Sequence, residues 1–179
     1  MGKGSAKGLV MVFTGDGKGK TTAAMGMAMR CVGHGLKCVM IQFIKGGWPY
    51  GELEAAKHLA PCFEMIPMGR GFIRPDRGGP DPEDLKAVRE AWALFLDMMA
   101  TEDFRMIILD EINNVIHMGL LAPEALLSAI AEKPPEMHLV LTGRNAHARV
   151  MEAADLVTEM REVKHPFAAG VRAQKGVEY

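Results

Sequence analysis

Residues Leu9–Thr22, LVMVFTGDGKGKTT, decide the fold of this chain. Leu9 to Phe13 is a short apolar run with two valines, the pattern of a buried strand. Gly15, Gly17 and Gly19 follow within five positions, then Lys20, Thr21 and Thr22, after which AAMGMAMR runs on as a helix. A strand, a glycine-rich turn and a helix start form a phosphate site for a physical reason. Glycines let backbone N–H groups converge on an anion, and the first helical turn adds unpaired donors and a positive dipole end. The stretch therefore reads as a triphosphate-binding loop made by Gly15, Asp16, Gly17, Lys18, Gly19, Lys20, Thr21 and Thr22. Lys20 reaches the outer phosphates and the Thr21 hydroxyl ligates Mg²⁺. One position departs from the usual spacing, which places a glycine where this chain has Thr14.

Downstream, apolar runs alternate with helical patterns. Strands are expected at Leu36–Phe43, Cys62–Ile66, Met106–Leu109, 138–143 and Leu156–Met160. Helices are expected from the loop to Gly33-His34-Gly35, at Glu52–Leu59, from Asp81-Pro82, from Ile112, and at 124–131 and 147–153. The helix after Asp81 should bury Leu85, Val88, Trp92, Phe95 and Leu96. This alternation predicts an α/β protein of the P-loop NTPase (RecA-like) type, with a mostly parallel central sheet and helices on both faces. Residues 1–8 read as a disordered N-terminal segment and 9–179 as a single domain. In such a sheet ligands gather at the carboxyl ends of the strands, where Thr14–Thr21, Lys45, Asp110-Glu111 and Thr142–Asn145 fall together.

MIILDE, residues 106–111, supplies the second half of the expected site. Acidic side chains at the end of a central strand hold Mg²⁺ directly or through water, so Thr21, Glu111 and Asp110 are the metal candidates. Spacing does not decide between Asp110 and Glu111. After the following core strand, Arg144 and Asn145 stand at the same edge, where a guanidinium suits phosphate oxygens. Lys45, Arg70, Arg74 and Arg77 either add charge to the site or solvate long loops. Residues 67–82 form the longest irregular stretch, rich in glycine, proline and arginine.

Composition narrows the partners. A formal net charge of −1 gives no reason to expect nucleic acid or an anionic membrane. No apolar run approaches a membrane span, and the N-terminal residues lack the apolar segment of a signal peptide. Cys31, Cys38 and Cys62 follow no metal-binding spacing and read as reduced thiols of a cytoplasmic protein. The 15 methionines fall mostly at helix and strand positions and read as core filler.

The full set of motifs is more specific than a phosphate loop. TGDGKGKTTAA, VGHG, QFIKGGWPYGE, MGRGF, ILDE, LTGRN, ADLVTEM and VKHPFAAGVRAQKGVEY together resemble the ATP:corrinoid adenosyltransferases of the CobA/CobO/BtuR type, from Leu9 to Tyr179. The resemblance implies transfer of the 5′-deoxyadenosyl group of ATP to Co(I) of a corrinoid, with triphosphate as leaving group and ATP reversed relative to ordinary P-loop enzymes. It implies Mg²⁺, or Mn²⁺ in its place, and makes Lys20, Thr21, Glu111 and Phe72 the catalytic set. Arg144 and Asn145 would sit beside the nucleotide, and the loop around Phe72 would face the corrinoid. It further implies a homodimer and a reduced flavoprotein as electron donor. The family's Gly-Phe-Thr-Trp stretch stands here as Gly71-Phe72-Ile73-Arg74, replacing an aromatic by a cation; Trp48 or Tyr50 is a candidate substitute. Two other readings compete: a P-loop ATPase or kinase that cleaves the β–γ bond, and a nucleotide-dependent corrinoid carrier without turnover.

Overall fold

Six short strands alternate with six helices in the computed structural model, which describes residues 7–46, 50–71, 81–101 and 103–177. The strands are β1 (Val10–Thr14), β2 (Cys38–Gln42), β3 (Phe63–Pro67), β4 (Met106–Asp110), β5 (His138–Thr142) and β6 (Leu156–Glu159). They form one sheet in the order β3-β2-β4-β5-β1-β6, and every adjacent pair is parallel. β5 thus separates the strand that enters the phosphate loop from the strand that ends in Asp110, about 10 Å across the sheet. Because all strands run the same way, the loops after β1, β2, β4 and β5 open on one edge.

Period-two alternation sends side chains to two cores. Val10, Val12, Val39, Ile41, Ile107, Leu109, Leu139 and Leu141 face one layer, which holds α3 (Pro82–Thr101), α4 (Ile112–His117), α5 (Pro123–Glu132) and α6 (Ala148–Ala153). Met11, Phe13, Cys38, Met40, Met106, Ile108 and Val140 face the other, covered by Ala24, Ala28 and Cys31 of α1 (Lys20–Gly33) and Ala56 of α2 (Gly51–Lys57). The central strands β1, β2 and β4 are buried at every position, as crossover helices on both faces require. Small residues on α1 let it lie close to the sheet, which holds its first turn against the loop.

Several boundaries differ from expectation. α3 buries Val88, Ala91, Phe95 and Met99, spaced three or four apart, and Leu96 is turned about 100° away, 38% exposed. Asp81 caps this helix by accepting from the Glu83 N–H at 2.8 Å. Lys7 and Gly8, expected within the disordered segment, are tied to the domain: Gly8 N–H donates to Pro135 O at 2.7 Å, and Lys7 pairs with Asp155 at 2.6 Å. Cys31, Cys38 and Cys62 are free thiols, and burial pushes the first two up in pKa. Among the described residues no helix is long and apolar enough to cross a membrane.

Candidate functional site

Two glycines give the phosphate loop its path. Gly15 and Gly19 hold φ of 93° and 110°, left-handed values that any Cβ would strain, and Gly19 is the N-cap of α1. Lys20 is 9% exposed and folds back across the loop, donating to Gly15 O and Gly17 O at 2.7 Å each. Burial pushes its pKa down, opposed by the nearby Glu111 charge. A triphosphate entering the loop offers this ammonium stronger acceptors than the two carbonyls. Asp16, Lys18 and Thr22 are exposed at the loop tip and on the outer side of α1.

Sequence reasoning missed the wall behind this loop. Gly17 N–H donates to Met160 O at 2.7 Å, so that donor is engaged within the protein. A Cβ on Gly17 would lie 2.7 Å from the Arg161 carbonyl carbon, and one on Gly15 would lie 2.4 Å from Met160 O. The segment after β6 therefore sets the outer limit of the loop. Thr14, the departure from the usual spacing, ends β1, and its hydroxyl accepts from Ala146 N–H at 3.2 Å. That bond ties the loop carrying Arg144 and Asn145 to the phosphate loop.

The two acids at the end of β4 have different surroundings. Asp110 is fully buried and accepts from three neutral donors: Thr21 Oγ1 at 2.8 Å, Thr142 Oγ1 at 2.7 Å and Gln42 Nε2 at 3.1 Å. Because Thr21 gives its proton to Asp110, its oxygen lone pairs remain for a cation. Glu111 has φ 67° and anchors its backbone N–H on Thr142 Oγ1 at 2.9 Å. Its Oε2 is buried without a hydrogen-bond partner among the described residues. Burial and the Asp110 charge push the Glu111 pKa up, against the pull of Lys20, Lys45 and Arg144. A buried carboxylate oxygen that no donor satisfies among the described residues keeps its lone pairs free to accept one. Thr142 stands at the sheet edge where the sequence placed it, whereas Gln42 was overlooked as a site residue; the signal was a polar residue closing an otherwise apolar strand, CVMIQ.

Arg144 reaches the loop, with Nη2 donating to Asp16 O at 3.4 Å and Nε lying 3.9 Å from Asp16 Oδ1. Its own N–H donates to Asn114 Oδ1. Asn145 is exposed with φ 54°, and its side chain is not drawn into the cluster. Lys45 lies 3.9 Å from Glu52 and 5.3 Å from the centroid of the Tyr50 ring. Arg70, which the sequence left open between site charge and loop solvation, pairs with Asp81, Glu83 and Asp84 at the start of α3. Phe72, Arg74, Arg77 and Trp48 lie outside the described residues. The structure thus brings together Gly15 to Thr21, Asp110, Glu111 and Arg144.

The family model described as ATP:corrinoid adenosyltransferase BtuR/CobO/CobP matches residues 6–179. The chain belongs to this family. It is 40% identical to the corrinoid adenosyltransferase of Escherichia coli K12 over 173 residues, covering 97% of this chain and 86% of that protein. It is 38% identical to the corrinoid adenosyltransferase CobA of Salmonella typhimurium LT2, with the same coverage of 97% and 86%. Among solved structures, the flagellar accessory protein FlaH of Methanocaldococcus jannaschii aligns with a TM-score of 0.51 at 13% identity, covering 88% of this chain and 73% of that one. That likeness supports the RecA-like α/β fold alone. Membership of this family makes ATP and a corrinoid the substrates of this chain.

Proposed function

We infer that this adenosyltransferase moves the 5′-deoxyadenosyl group of ATP onto Co(I) of a corrinoid. The Co(I) electron pair forms the Co–C5′ bond, the C5′–O bond breaks, and triphosphate leaves with that bond's electrons. The observation that carries the reading is the joining of the phosphate loop to Asp110 through Thr21, in a chain matched to the family over nearly its whole length. Co(I) is itself a strong nucleophile, so the protein's task is to position C5′ and stabilise the departing charge.

Charge develops on the oxygen that leaves, and donors fixed before the reaction stabilise it without reorganisation. The first-turn N–H groups of α1, Lys20 and Arg144 supply those donors. The partnerless Glu111 Oε2 and the lone pairs of Thr21 fit a divalent cation, with Asp110 orienting Thr21 from behind. Mg²⁺, or Mn²⁺ in its place, would be held there and would neutralise triphosphate. Lys20, Thr21 and Glu111 are the catalytic residues of this reading, with Phe72 on the corrinoid side by resemblance. Asn145 retains a place beside the nucleotide only as part of the LTGRN turn. Action in the cytoplasm as a homodimer, with a reduced flavoprotein delivering the electron that makes Co(I), completes the proposal.

Purified protein with Mg-ATP and anaerobically reduced cob(I)alamin tests it. Adenosylcobalamin and triphosphate should appear in equal amounts, read by visible absorbance and chromatography. Phosphate without a Co–C bond would return the chain to the ATPase reading, and binding without turnover to the carrier.

A further inference from the structure

Gln42 closes β2 and is 1% exposed, yet both ends of its side-chain amide are hydrogen-bonded. Nε2 donates to Asp110 Oδ2 at 3.1 Å, and Oε1 accepts from the Tyr50 hydroxyl. The same residue holds a second loop through its backbone, because Gln42 O accepts from Met68 N–H at 2.9 Å and from Gly69 N–H at 3.2 Å. Phe43 N–H donates to Asp110 O at 3.1 Å. The stretches after β2 and β3 are in turn zipped together. Gly71 N–H donates to Ile44 O at 2.9 Å, and a Cβ on Gly46 would lie 1.6 Å from Gly69 O. Tyr50 thus stands at the outer end of a hydrogen-bonded line running Tyr50, Gln42, Asp110, Thr21. It is also the N-cap residue of α2.

We propose that Tyr50 is a positioning residue that couples the loop after β2 to the nucleotide side of the site through Gln42 and Asp110. Asp110 is the junction, since it orients the Thr21 hydroxyl on one side and Gln42 on the other. When nucleotide and Mg²⁺ draw Thr21 into a fixed position, Asp110 and Gln42 are held with it, and Tyr50 transmits that order to Lys45 and the first turn of α2. The hydroxyl suits the task because a phenol keeps its proton at working pH, and burial, with the Asp110 and Glu52 charges, pushes its pKa further up, to about 12. Without it, Gln42 Oε1 is a buried acceptor lacking a donor, and the amide relaxes away from Asp110. This gives Tyr50 a function on the ATP side of the site.

The proposal rests on the assignment of residues 15–22 as the nucleotide site, so its test reads binding and exchange, with no corrinoid present. Wild type and Tyr50→Phe, which keeps the ring over Lys45, are titrated with ATP at varied Mg²⁺ and followed by amide hydrogen exchange. In the wild type, saturating Mg-ATP should slow exchange both at Gly15–Thr21 and at Phe43–Gly46 and Tyr50–Leu53. In Tyr50→Phe the protection of Gly15–Thr21 should remain while that of the two distal stretches is lost. The Mg²⁺ needed for half-maximal binding should rise about five-fold, within the range for residues in one hydrogen-bond network. Equal protection of the distal stretches in both proteins, or an unchanged Mg²⁺ requirement, overturns the coupling. Absence of protection at Gly15–Thr21 in the wild type would strike the nucleotide assignment itself, a separate outcome that also removes the proposal's basis.

Discussion

Replacing Glu111 by glutamine should make the protein more stable without ligand and less stable with it. The carboxylate stands with one oxygen buried and partnerless, beside the Asp110 charge. An unsatisfied buried polar group costs about 1–3 kcal/mol, more when charged. The pull of Lys20, Lys45 and Arg144 offsets part of that penalty, leaving a net gain for Glu111→Gln of about 1 kcal/mol. For a domain of this size that is about 2–4 °C in Tm. Saturating Mg-ATP reverses the order: at a hundred times Kd a ligand adds about 2.7 kcal/mol, and the variant should forfeit most of the magnesium-dependent part. The pH dependence has a defined sign. A carboxyl whose folded pKa is raised holds its proton more tightly in the folded state, so its penalty is absent below the unfolded value of about 4.5 and grows as pH rises through the folded one. The Tm advantage of Glu111→Gln should therefore be largest near pH 8 and should vanish near pH 4.5. Thermal melts of both proteins across pH, with and without Mg-ATP, measure this. A variant less stable than wild type at pH 8 without ligand, or one that keeps the full Mg-ATP shift, refutes the assignment of Glu111 as the cation-facing acid.

Lys20→Ala removes a charged donor from the leaving group and should slow single-turnover adenosyl transfer to prereduced Co(I) by about 10²–10³-fold; wild-type rates would end its catalytic role. Gly17→Ala drives a Cβ into the Arg161 backbone, and overpacking of this kind costs about 1–3 kcal/mol. Its Tm should fall by several degrees and its ATP affinity should weaken, whereas an unchanged melt would remove the 160–161 segment as the wall of the loop. Phe72→Ala should spare transfer to prereduced Co(I) and slow the assay that starts from Co(II). Equal losses in both assays would deny Phe72 a part specific to cobalt reduction.

Local sequence determined the elements of this protein and the side of the sheet on which its chemistry lies. Residues 9–22 define a strand, turn and helix because glycine torsions, apolar alternation and helix capping act within a few residues of one another. The apolar runs ending in Asp110 and Thr142 were legible for the same reason, and a parallel sheet places the ends of its strands on one edge. The division of labour between Asp110 and Glu111 was not legible. Asp110 ends β4 and Glu111 caps the helix that follows, and the two differ through what other elements bring to them: Thr21, Gln42 and Thr142 satisfy the first, while Glu111 Oε2 is left without a donor among the described residues. The place of Arg70, at the first turn of α3, was not legible either, since ion pairing depends on which elements fold next to each other. Gln42 and Met160 gained their roles from chain segments distant in sequence, Asp110 and Gly17, and hydrogen bonds of that kind exist only once the sheet order β3-β2-β4-β5-β1-β6 has been set.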